Sequence, residues 1–405
     1  MITAKPIISL EEAEKAIMSF PVSPAPEMVP LAEAAGRFLA QDVFSPRDIP
    51  EFNKSAMDGY AYISGDTSPA FRVVETIAAG TPPRVVITPG QCAKIMTGAM
   101  MPSGADRVVR RECTAEENGL MRIVAQDLHV NVRYQGEDLP AGKLVLAAGV
   151  RLRPAQVALL ASLGSAEATV ARRPRVGIIT TGSELADPGT PLAPGRIYDS
   201  NSHSLSAQAR EAGAVPVLLG RVADDAEATA EAINAAMEAC DILIISGGVS
   251  AGDFDHVPAA MRSVGFTPHF EKIAVQPGMP TVFSTRAGQS HKGTAAAGPC
   301  AFGLPGNPVS TFVIFEVLIK PLLQRMMGNN DLPLRQQATL TSPFRRGNGE
   351  RTAFIPVILR HGKAELVSYH GSAHLHALAR ANGLLQVPTG QKEIAAGSRV
   401  DVRLL

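Results

Sequence analysis

Glycines, a serine and a pair of carboxylates follow one apolar stretch of the sequence at close spacing. The run "DILIIS" (241–246) leads directly into Gly247 and Gly248, and Ser250 and Asp255 follow shortly after. Glycines let backbone amides approach phosphate oxygens closely, whereas carboxylates repel a phosphate unless a hard cation lies between them. The spacing therefore predicts a loop that binds a phosphate together with the Mg²⁺ that neutralises it.

Further loops of the same region carry glycines or carboxylates where an apolar run ends. Glu184 follows "VGIITTG", "LPGNPVS" follows another apolar run, and Asp224 lies at the start of a helical stretch. The carboxyl ends of parallel strands meet at one edge of a sheet, so these side chains are expected to converge there. We therefore predict a Mg²⁺–phosphate site that uses Glu184 and Asp255, with Asp224 nearby.

Each of these features also has a purely structural interpretation. An aspartate that starts a helix is usually a cap, and we assign that role to Asp225. A glycine turn alone is usually only a turn, and the Asp-Gly pair in "NKSAMDGYAYI" (53–63) is ordinarily a turn that joins two strands. The convergence of several glycine- or acid-bearing loops on one sheet is what favours the phosphate site.

The elements that must position these loops alternate between strand and helix from about Arg175 to Gly328. Four short apolar runs are typical of strands: "RVGIITTG", "VPVLLGRV", "DILIISGG" and "PCAFGLPG". The helix between the second and third runs has apolar residues at alternating steps of four and three, namely Ala226, Ala230, Ile233, Met237 and Cys240. This alternation predicts a parallel sheet that is covered by helices on both faces.

The rest of the chain predicts smaller helical and β-rich regions. "SLEEAEKAI" begins a helix with the capping-box spacing of Ser9 and Glu12, and "LAEAAGRFLA" (31–40) predicts a second, short helix. From about Asp42 to Val132, β-branched runs are separated by Gly, Pro and Asp, which indicates a β-rich region. "GVRLRPAQVALLASLG" predicts a return to helix, and strand signals return in the last part of the chain.

Length and charge limit the classes of protein that fit. The chain has 405 residues with 38 Lys+Arg and 38 Asp+Glu, and this balance argues against a nucleic-acid partner, which normally needs a basic excess. The four cysteines have no metal-ligand or redox spacing, which fits a reducing compartment. No apolar run resembles a signal peptide or reaches membrane-spanning length. We expect several domains and a soluble, cytoplasmic protein with no membrane partner.

Together, the motifs of this sequence resemble the molybdenum insertases, the molybdopterin molybdenumtransferase family that includes the C-terminal domain of gephyrin. The resemblance runs nearly from end to end, and its motifs are too many and too well ordered for chance similarity. They are "NKSAMDGYA" (53–61), "IMTGAMMPSGADRVVRRE" (95–112), "NVRYQGED" (131–138), "VGIITTGSEL" (176–185), "RIYDSN" (196–201), "SGGVSAGDFD" (246–255), "KIAVQPGMP" (272–280) and "GLPGNPVS" (303–310).

The resemblance implies an α/β multidomain protein with four domains. They are a helical dimerisation domain over 1–41 and 141–172, an inserted β-rich lobe over 42–140, a parallel-sheet α/β molybdopterin-binding domain over 173–330 that resembles molybdopterin adenylyltransferases, and a C-terminal β-barrel-like domain over 331–405. The resemblance also implies a homodimer whose site is a cleft shared between subunits. Molybdopterin adenylyltransferase and cofactor-accepting proteins are the further partners that it implies.

The resemblance further implies a reaction in molybdenum cofactor biosynthesis. Adenylylated molybdopterin and molybdate bind with Mg²⁺, the phosphoanhydride is hydrolysed, AMP leaves, and the metal passes to the dithiolene sulfurs. On this reading Glu184 and Asp255 would hold Mg²⁺, which withdraws charge as water attacks. Lys272 would offset developing negative charge, and Asp58 and Asp138 would orient water or the pterin.

Two sets of residues are carried over by motif. The candidate catalytic residues have polar side chains and are Asp58, Thr97, Asp138, Glu184, Asp224, Asp255 and Lys272. The candidate binding residues, most of them in the glycine- and proline-rich loops that would cradle the nucleotide part, are Thr181, Gly182, Gly247, Gly248, Ser250, Gly252, Pro305, Gly306, Pro308, Ser310 and Arg351.

This sequence departs from the family pattern at three positions. Ser183 stands where relatives often carry Asp, and Gln276 and Met279 stand where many members carry lysines near the oxyanion. Molybdate is a dianion, so the loss of cations weakens its capture unless other groups compensate. Arg351 and Ser310 are the replacements that we identify, and we expect weak, salt-sensitive molybdate binding.

Two other functions stay open at the level of sequence. A molybdopterin adenylyltransferase would use the same α/β core to make the substrate, although the inserted lobe and the C-terminal domain argue against it. A non-catalytic dimeric scaffold would have no need of the acidic site residues.

Two basic or histidine-rich stretches invite other interpretations. "YHGSAHLHAL" (369–378) holds His370, His374 and His376 but fits no standard closed zinc site, and we expect histidines that face solvent or line a cleft. "PFRRGNGER" (343–351) is basic, but with zero net charge on the chain we expect it to face the anionic cofactor or solvent and not RNA.

Overall fold

The computed structural model describes residues 6–250, 256–287, 298–331, 334–369 and 371–405. The chain divides into two compact units. Unit 1 consists of Met1–Gln41, Ala148–Val157 and Ala166–Leu405, and unit 2 consists of Asp42–Ala147 and Ala158–Ser165.

The helices of the described residues are mostly short. They are α1 (Leu10–Met18), α2 (Leu31–Ala34), α3 (Pro154–Ser162), α4 (Asn201–Glu211), α5 (Ala226–Met237), α6 (Val257–Ser263), α7 (Pro308–Ile314), α8 (Lys320–Met326) and α9 (Leu375–Arg380). A π-helical turn over Phe315–Ile319 joins α7 to α8.

Strands occur along the whole described chain. The first are β1 (Pro26–Pro30), β2 (Val43–Phe44), β3 (Lys54–Ser55), β4 (Gly59–Tyr62), β5 (Phe71–Ile77), β6 (Gln91–Ile95), β7 (Arg107–Arg110), β8 (Thr114–Glu117), β9 (Leu120–Ile123), β10 (Val132–Arg133) and β11 (Leu144–Leu146). After α3 come β12 (Glu167–Ala171), β13 (Arg175–Thr181), β14 (Leu185–Ala186), β15 (Ile197–Tyr198), β16 (Val215–Val222), β17 (Ile242–Ser246), β18 (Thr267–Phe270), β19 (Val275–Gln276), β20 (Val282–Thr285), β21 (Cys300–Leu304), β22 (Arg335–Leu340), β23 (Phe344–Arg345), β24 (Thr352–Arg360), β25 (Lys363–Leu366), β26 (Gly383–Val387), β27 (Glu393–Ile394) and β28 (Arg399–Leu404).

A six-stranded sheet of unit 1 has the strand order β16-β13-β17-β21-β20-β18. The first four strands are parallel, with Val176 opposite Ile242 and Ile242 opposite Cys300. The last two strands, β20 and β18, are antiparallel additions at one edge. The predicted parallel sheet is confirmed, because all four of the apolar runs singled out in the sequence form its parallel part.

Side chains of β17 alternate between two apolar cores, as a strand that is covered on both faces requires. Ile244 packs in the cluster that contains Leu205 of α4, whereas Ile245 packs in the cluster that contains Ile233 of α5. Helices therefore cover both faces, as predicted. The cap of α5 is also as predicted, since the Asp225 carboxylate accepts a hydrogen bond from a backbone amide in the first helical turn at 2.8 Å.

The C-terminal sheet of unit 1 closes on itself. β24 pairs with both β25 and β26, and the ring continues from β25 through β22 and β28 back to β26. Its interior is apolar, with Leu340, Val357, Leu385 and Val402 fully buried. The β-barrel-like fold predicted for this part of the chain is therefore confirmed.

The first helix begins as predicted, and the second is shorter than predicted. The Ser9 hydroxyl accepts from the Glu12 amide at 3.1 Å and the Glu12 carboxylate accepts from the Ser9 amide at 2.7 Å, so both bonds of the capping box are present. The prediction of a helix over "LAEAAGRFLA" is wrong beyond Ala34. Ala35 has an extended ψ of 131° and Gly36 a φ of +80°, so the chain leaves the helix in a turn that the bond from the Arg37 amide to the Ala34 carbonyl closes. Leu39 then pairs in extended backbone with β12.

Unit 2 contains β2 to β11, so the predicted β-rich region is confirmed. Its main sheet has the order β7-β4-β6-β5-β9-β8, while β3 pairs with β10 and β2 pairs with β11. Successive residues of β4 point to opposite faces. Tyr60 packs with Met121 in one apolar cluster, and Ala61 packs with Val108 in another.

The cysteines behave as small apolar residues. All four are free and buried. Burial raises the pKa of the Cys92 and Cys240 thiols to about 12, so both stay protonated and unreactive near neutral pH. Among the helices that the structure describes, none combines the length and the hydropathy needed to cross a membrane.

Candidate functional site

A cavity of about 740 Å³ lies at the carboxyl ends of β13, β17 and β21 in unit 1. This is the edge at which open parallel sheets bind their ligands. Ten of the predicted site residues line it, namely Thr181, Gly182, Glu184, Asp224, Gly247, Gly248, Ser250, Pro305, Gly306 and Pro308. The structure thus brings together the loops that the strand spacing predicted to converge.

Two glycines after β17 turn the chain where a side chain would not fit. Gly247 and Gly248 have φ angles of +105° and +65°, which residues with a side chain rarely adopt. A Cβ at Gly247 would lie 2.6 Å from the backbone oxygen of Thr181, and a Cβ at Gly248 would lie 2.9 Å from a methyl group of Val257. The loop therefore requires glycine at both positions, and its bare backbone lines the cavity.

The loop after β21 is held by its carbonyl groups. The Leu304 carbonyl accepts from the Gly247 amide at 2.9 Å, and the Pro305 carbonyl accepts from the Thr311 hydroxyl at 2.5 Å. A Cβ placed on Gly306 would lie 3.8 Å from the Cα of Gly247. The two glycine loops are therefore in contact with each other, with their backbones side by side.

Glu184 presents a free carboxylate to the cavity. Gly182 has a φ of +146°, and a Cβ built there would lie 2.7 Å from Glu184 Oε2, so the carboxylate is folded over this glycine. The Glu184 side chain is exposed, and it has no hydrogen-bond or ion-pair partner in the described part of the chain. Its oxygens have the chemistry that a hard cation such as Mg²⁺ prefers.

Asp224 is bonded to the loop that carries Glu184. Its Oδ2 accepts from the Ser183 amide at 2.9 Å, and Arg221 of β16 donates to the Leu185 carbonyl at 2.8 Å. These contacts attach the loop after β13 to the end of β16. Asp224 thus lies near Glu184 as predicted, but one of its oxygens already accepts a backbone N–H.

Several polar residues of the cavity lining are absent from the predicted set, and among them are Asp199, Asn201 and Ser246. The buried Asp199 carboxylate accepts from the Thr180 hydroxyl at 2.9 Å and from the Ser202 amide at 3.0 Å. The side-chain amide of Asn201 donates to Ser246 Oγ at 2.8 Å. The signal that could have identified the first two is "RIYDSN", because polar residues between a short strand and a helix start face the same edge of the sheet.

Arg351 and Ser310, which are predicted to bind molybdate, and Lys272, which is predicted to offset negative charge, are not part of the cavity lining. Nη1 of Arg351 lies 3.9 Å from the sulfur of Met279, and the next residue, Pro280, lines the cavity. Ser310 is buried in α7, with 3% of its surface exposed. Lys272 is half-buried and does not line the cavity. Of these residues, Arg351 therefore has the most direct connection to the cavity edge.

In unit 2, the structure brings Asp58 and Thr97 together. The Asp58 carboxylate accepts from the Thr97 amide at 2.8 Å and from the Thr97 hydroxyl at 2.7 Å. These bonds, the backbone bond first, hold the pKa of Asp58 below its usual range. Asp58 is exposed and is therefore ionised at neutral pH.

The segment that contains Asp138 lies next to the segment that contains Asp58 within unit 2. β3 pairs with β10, and the Asn53 side-chain oxygen accepts from the Gln135 amide at 2.8 Å. Asp138 is exposed and accepts from the Arg133 guanidinium at 2.5 Å. Unit 2 thus presents two exposed carboxylates on neighbouring loops, each already bonded to a local donor.

Some predicted groups lie outside the described residues, namely Gly252, Asp255 and His370. Across the ranges that are described, no three His, Cys, Asp or Glu side chains are grouped closely enough to hold a metal ion. His374 and His376 are stacked, with ring centroids 6.3 Å apart. Within those ranges the histidine stretch therefore forms no three-ligand metal site.

The cavity combines two kinds of binding group. The bare backbone at Gly248 and Gly306 lets an anion come close to N–H groups, and the free Glu184 carboxylate offers oxygen ligands, which bind a hard cation. A cavity of this volume is within the range of about 300–1,000 Å³ that small-molecule sites occupy. The arrangement can therefore bind a phosphate-bearing molecule together with a divalent cation.

Three family models match the chain in succession. The MoeA N-terminal region (domain I and II) matches residues 8–164, the probable molybdopterin binding domain matches 177–325, and the MoeA C-terminal region (domain IV) matches 337–405. The lining of the cavity falls within the second of these matches, apart from Ala373, which falls within the third.

Curated relatives and solved structures match the chain over nearly its full length. The chain is 35% identical over 425 residues to the molybdopterin molybdenumtransferase of Bacillus subtilis, covering 100% of this chain and 96% of the relative. It is 39% identical over 413 residues to molybdopterin molybdenumtransferase 2 of Mycobacterium tuberculosis, covering 97% and 98%. The crystal structure of a molybdopterin biosynthesis MoeA protein from Pyrococcus horikoshii matches with a TM-score of 0.85 at 32% identity, covering 98% and 99%.

Proposed function

The chain belongs to the molybdopterin molybdenumtransferase family of molybdenum cofactor biosynthesis, and we propose that it inserts molybdate into adenylylated molybdopterin with Mg²⁺ and releases AMP. The observation that carries the proposal is the cavity in which glycine backbones and the free Glu184 carboxylate line one space. In the proposed reaction water adds across the phosphoanhydride, the P–O bond breaks and AMP leaves. The two dithiolene thiols pass their protons to one oxo group of molybdate, which leaves as water, and both sulfurs become ligands of molybdenum.

The glycine loops would bind the nucleotide part of the substrate. Gly247 and Gly248 expose backbone where any side chain would collide with a neighbour, so phosphate oxygens can come close to the loop. The Gly247 N–H donates to the Leu304 carbonyl, so the N–H that we propose for a phosphate oxygen is that of Gly248. The Gly306 loop lies against them, and its carbonyl bonds keep it in place. A rigid cradle of this kind binds without first having to be ordered, which favours affinity.

Mg²⁺ is the cation that we propose for Glu184. Mg²⁺ prefers carboxylate and phosphate oxygens as ligands. The Glu184 carboxylate has no partner among the described groups, and the proposed substrate supplies phosphate oxygens. Glu184 and Asp255 would hold the ion, and when bound it would neutralise charge on the phosphates. The contribution of the chain itself is to fix the Glu184 loop through the bond from Ser183 to Asp224.

Arg351 is the group that we propose for molybdate capture. A guanidinium offers several N–H donors to an oxyanion, whereas Gln276 and Met279 offer no charge. Arg351 lies beside Met279, at the segment that leads into the cavity lining. With Ser310 buried and Lys272 away from the lining, we propose weak molybdate binding that decreases as salt is raised.

The carboxylates of unit 2 would orient water or the pterin by hydrogen bonds and would not act as general bases. The pKa of Asp58 is lowered by its bonds to Thr97, and a carboxylate with a low pKa accepts hydrogen bonds well but is a poor base near neutral pH. We propose that Asp58, Thr97 and Asp138 hold water or the pterin by hydrogen bonds.

We propose that the active form is a cytoplasmic homodimer with the four domains predicted from the sequence. Molybdopterin adenylyltransferase, as the source of the adenylylated substrate, and cofactor-accepting proteins are the partners that this activity implies.

The experiment that tests the proposal is insertion with the purified chain. Adenylylated molybdopterin, Mg²⁺ and molybdate are mixed, and AMP and the metallated product are measured together. We expect both products to appear in equal amounts and only with Mg²⁺. ATP-dependent adenylylation of molybdopterin would instead support the adenylyltransferase alternative, and a stable dimer that forms neither product would support a scaffold.

A further inference from the structure

We infer that Asn201 is a positioning residue that sets the spacing between the two glycine loops of the cavity. The inference rests on the proposed function, because those loops are the ones proposed to bind the nucleotide part of the substrate. Asn201 is the first residue of α4, and it lines the cavity.

One side-chain nitrogen of Asn201 joins the ends of two neighbouring strands. Nδ2 donates to Ser246 Oγ at 2.8 Å and to the Gly306 carbonyl at 2.7 Å. Ser246 is the last residue of β17 and directly precedes Gly247, whereas Gly306 lies in the loop after β21. The Gly306 carbonyl can only accept, so the bond determines which end of the Asn201 amide faces it.

The bond to Gly306 completes a row of fixed carbonyl groups. The carbonyls of Leu304 and Pro305 already accept from groups next to the loop, and Ser246 Oγ lies 3.4 Å from the Pro305 carbonyl. The Gly306 carbonyl is held from α4 instead. Since Gly306 lies against Gly247, loss of the Asn201 bond would change the distance between the two loops and not the path of either strand.

The other end of the Asn201 amide indicates a role in geometry and not in stability. Its Oδ1 is buried and has no partner among the described residues. A buried oxygen without a partner lowers stability, and asparagine is a poorer helix residue than alanine. The Asn201 side chain therefore contributes little net stability, although it determines where the Gly306 carbonyl lies.

Gln208 provides a matched control on the same helix. Its Nε2 donates to the Phe312 carbonyl at 3.2 Å and to Glu316 Oε1 at 2.8 Å, and its Oε1 is also buried without a partner within the described ranges. Gln208 does not line the cavity. It thus has the same two donated bonds and the same unbonded oxygen, but no contact with a glycine loop.

The test compares Asn201→Ala, Asn201→Asp and Gln208→Ala with the wild-type chain. Kd for AMP and for molybdate would be measured by calorimetry in the presence of Mg²⁺, kcat and KM by the insertion assay, and Tm by thermal unfolding. Loss of one positioning hydrogen bond corresponds to about tenfold in affinity. We expect Asn201→Ala to raise Kd for AMP and KM for adenylylated molybdopterin by about tenfold, with the molybdate Kd unchanged.

The two other variants separate positioning from stability. Asn201→Asp has the same shape but no N–H to donate at neutral pH, so it should lose AMP affinity as Asn201→Ala does. Gln208→Ala should lower Tm at least as much as Asn201→Ala and leave the AMP Kd unchanged. A folded Asn201→Ala chain with a wild-type AMP Kd, or an equal loss in Gln208→Ala, overturns the inference and leaves the proposed function standing. A wild-type chain that does not bind AMP overturns both.

Discussion

The carboxylates of the cavity differ in what they already contact. The Glu184 carboxylate has no hydrogen-bond or ion-pair partner in the described ranges. Asp224 accepts a hydrogen bond from a backbone amide, and Asp199 accepts one from a hydroxyl and one from a backbone amide. The sequence could predict that Glu184 and Asp224 lie close together, because strand ends meet at one edge of a sheet. It could not predict which oxygens are already bonded, because that depends on side-chain rotamers and on the path of the next loop. We therefore propose that Glu184 contacts the ligand, whereas Asp224 holds the loop after β13 in place.

Two substitutions of Asp224 distinguish the effect of its hydrogen bond to the loop from the effect of its negative charge on the insertion rate. Asp224→Asn keeps an oxygen that can accept from the Ser183 amide, whereas Asp224→Ala removes it. We expect the insertion rate of Asp224→Asn to stay within about threefold of wild type and that of Asp224→Ala to fall on the order of tenfold. The comparison requires both variants to match the wild-type Tm within a few degrees. An equal, large loss in both variants would show that the negative charge of Asp224 is itself required.

The free energy of unfolding at acidic pH should depend on the hydrogen bonds between Asp58 and Thr97. The folded pKa of Asp58 is lowered, so this carboxylate contributes stability above its usual pKa of 3.8 and loses that contribution as the pH falls through the lowered value. Thr97→Ala removes the hydroxyl bond and keeps the amide bond. We expect the pKa of Asp58, measured by carbon NMR titration of the carboxyl group, to rise toward 3.8 without reaching it.

The control for that titration is Ser64→Ala in the same unit. The Ser64 hydroxyl donates to the Asp106 carboxylate at 2.8 Å and does not contact Asp58. The pKa of Asp58 should therefore stay unchanged in this variant. An unchanged pKa in Thr97→Ala would instead contradict the contact.

At the scale of elements, periodic patterns predicted long elements well and short ones poorly. The four parallel strands and α5 follow apolar runs, because burial on both faces of a sheet requires such runs. The helix over residues 31–40 ends at Ala34, because a left-handed Gly36 and the pairing of Leu39 with β12 outweigh the helix propensity of alanine. The contacts of Asn201 with Ser246 and Gly306 join distant parts of the chain, so no local pattern could predict them.

Substitution of Gly247 tests whether the glycine loops after β17 and β21 form the binding site for the nucleotide part. In Gly247→Ala, the new Cβ would lie 2.6 Å from the Thr181 carbonyl oxygen at a φ of +105°, so the loop would have to move. We expect a loss of roughly 1–3 kcal/mol in the free energy of unfolding, measured with urea, together with loss of AMP binding. Gly189→Ala is the control, because Gly189 has a φ of +90° but no atom within 4 Å of its Cβ position. Similar losses in both variants would mean that backbone strain alone, and not the contact with Thr181, requires the glycine.

At the scale of the whole molecule, a chain with 38 basic and 38 acidic residues has no formal net charge, so the anion site that we propose depends on the local placement of cations and N–H groups. The neutral balance argues against partners that need a large basic surface, but it does not indicate where the cations lie. Arg351 lies beside Met279 only because β19 pairs with β24, which brings residues from distant parts of the sequence together. The four domain boundaries stay a prediction, as does the dimer.

The dimer can be tested by mass. We expect sedimentation equilibrium to give twice the 42.6 kDa of the chain at the concentrations used for the insertion assay. Activity should fall on dilution in parallel with dissociation, because the proposed site is a cleft shared between subunits. A fully active monomer would contradict the proposed assembly.

The most direct test of the account is the Mg²⁺ dependence of AMP release in wild type and in Glu184→Gln. The substitution keeps the size of the side chain and removes the charge from the carboxylate that is free at the cavity. We predict that wild type releases AMP only with Mg²⁺, and that Glu184→Gln needs at least about tenfold more Mg²⁺ for half its maximal rate. An unchanged Mg²⁺ dependence in a folded Glu184→Gln chain, or AMP release by wild type without a divalent ion, would contradict the account.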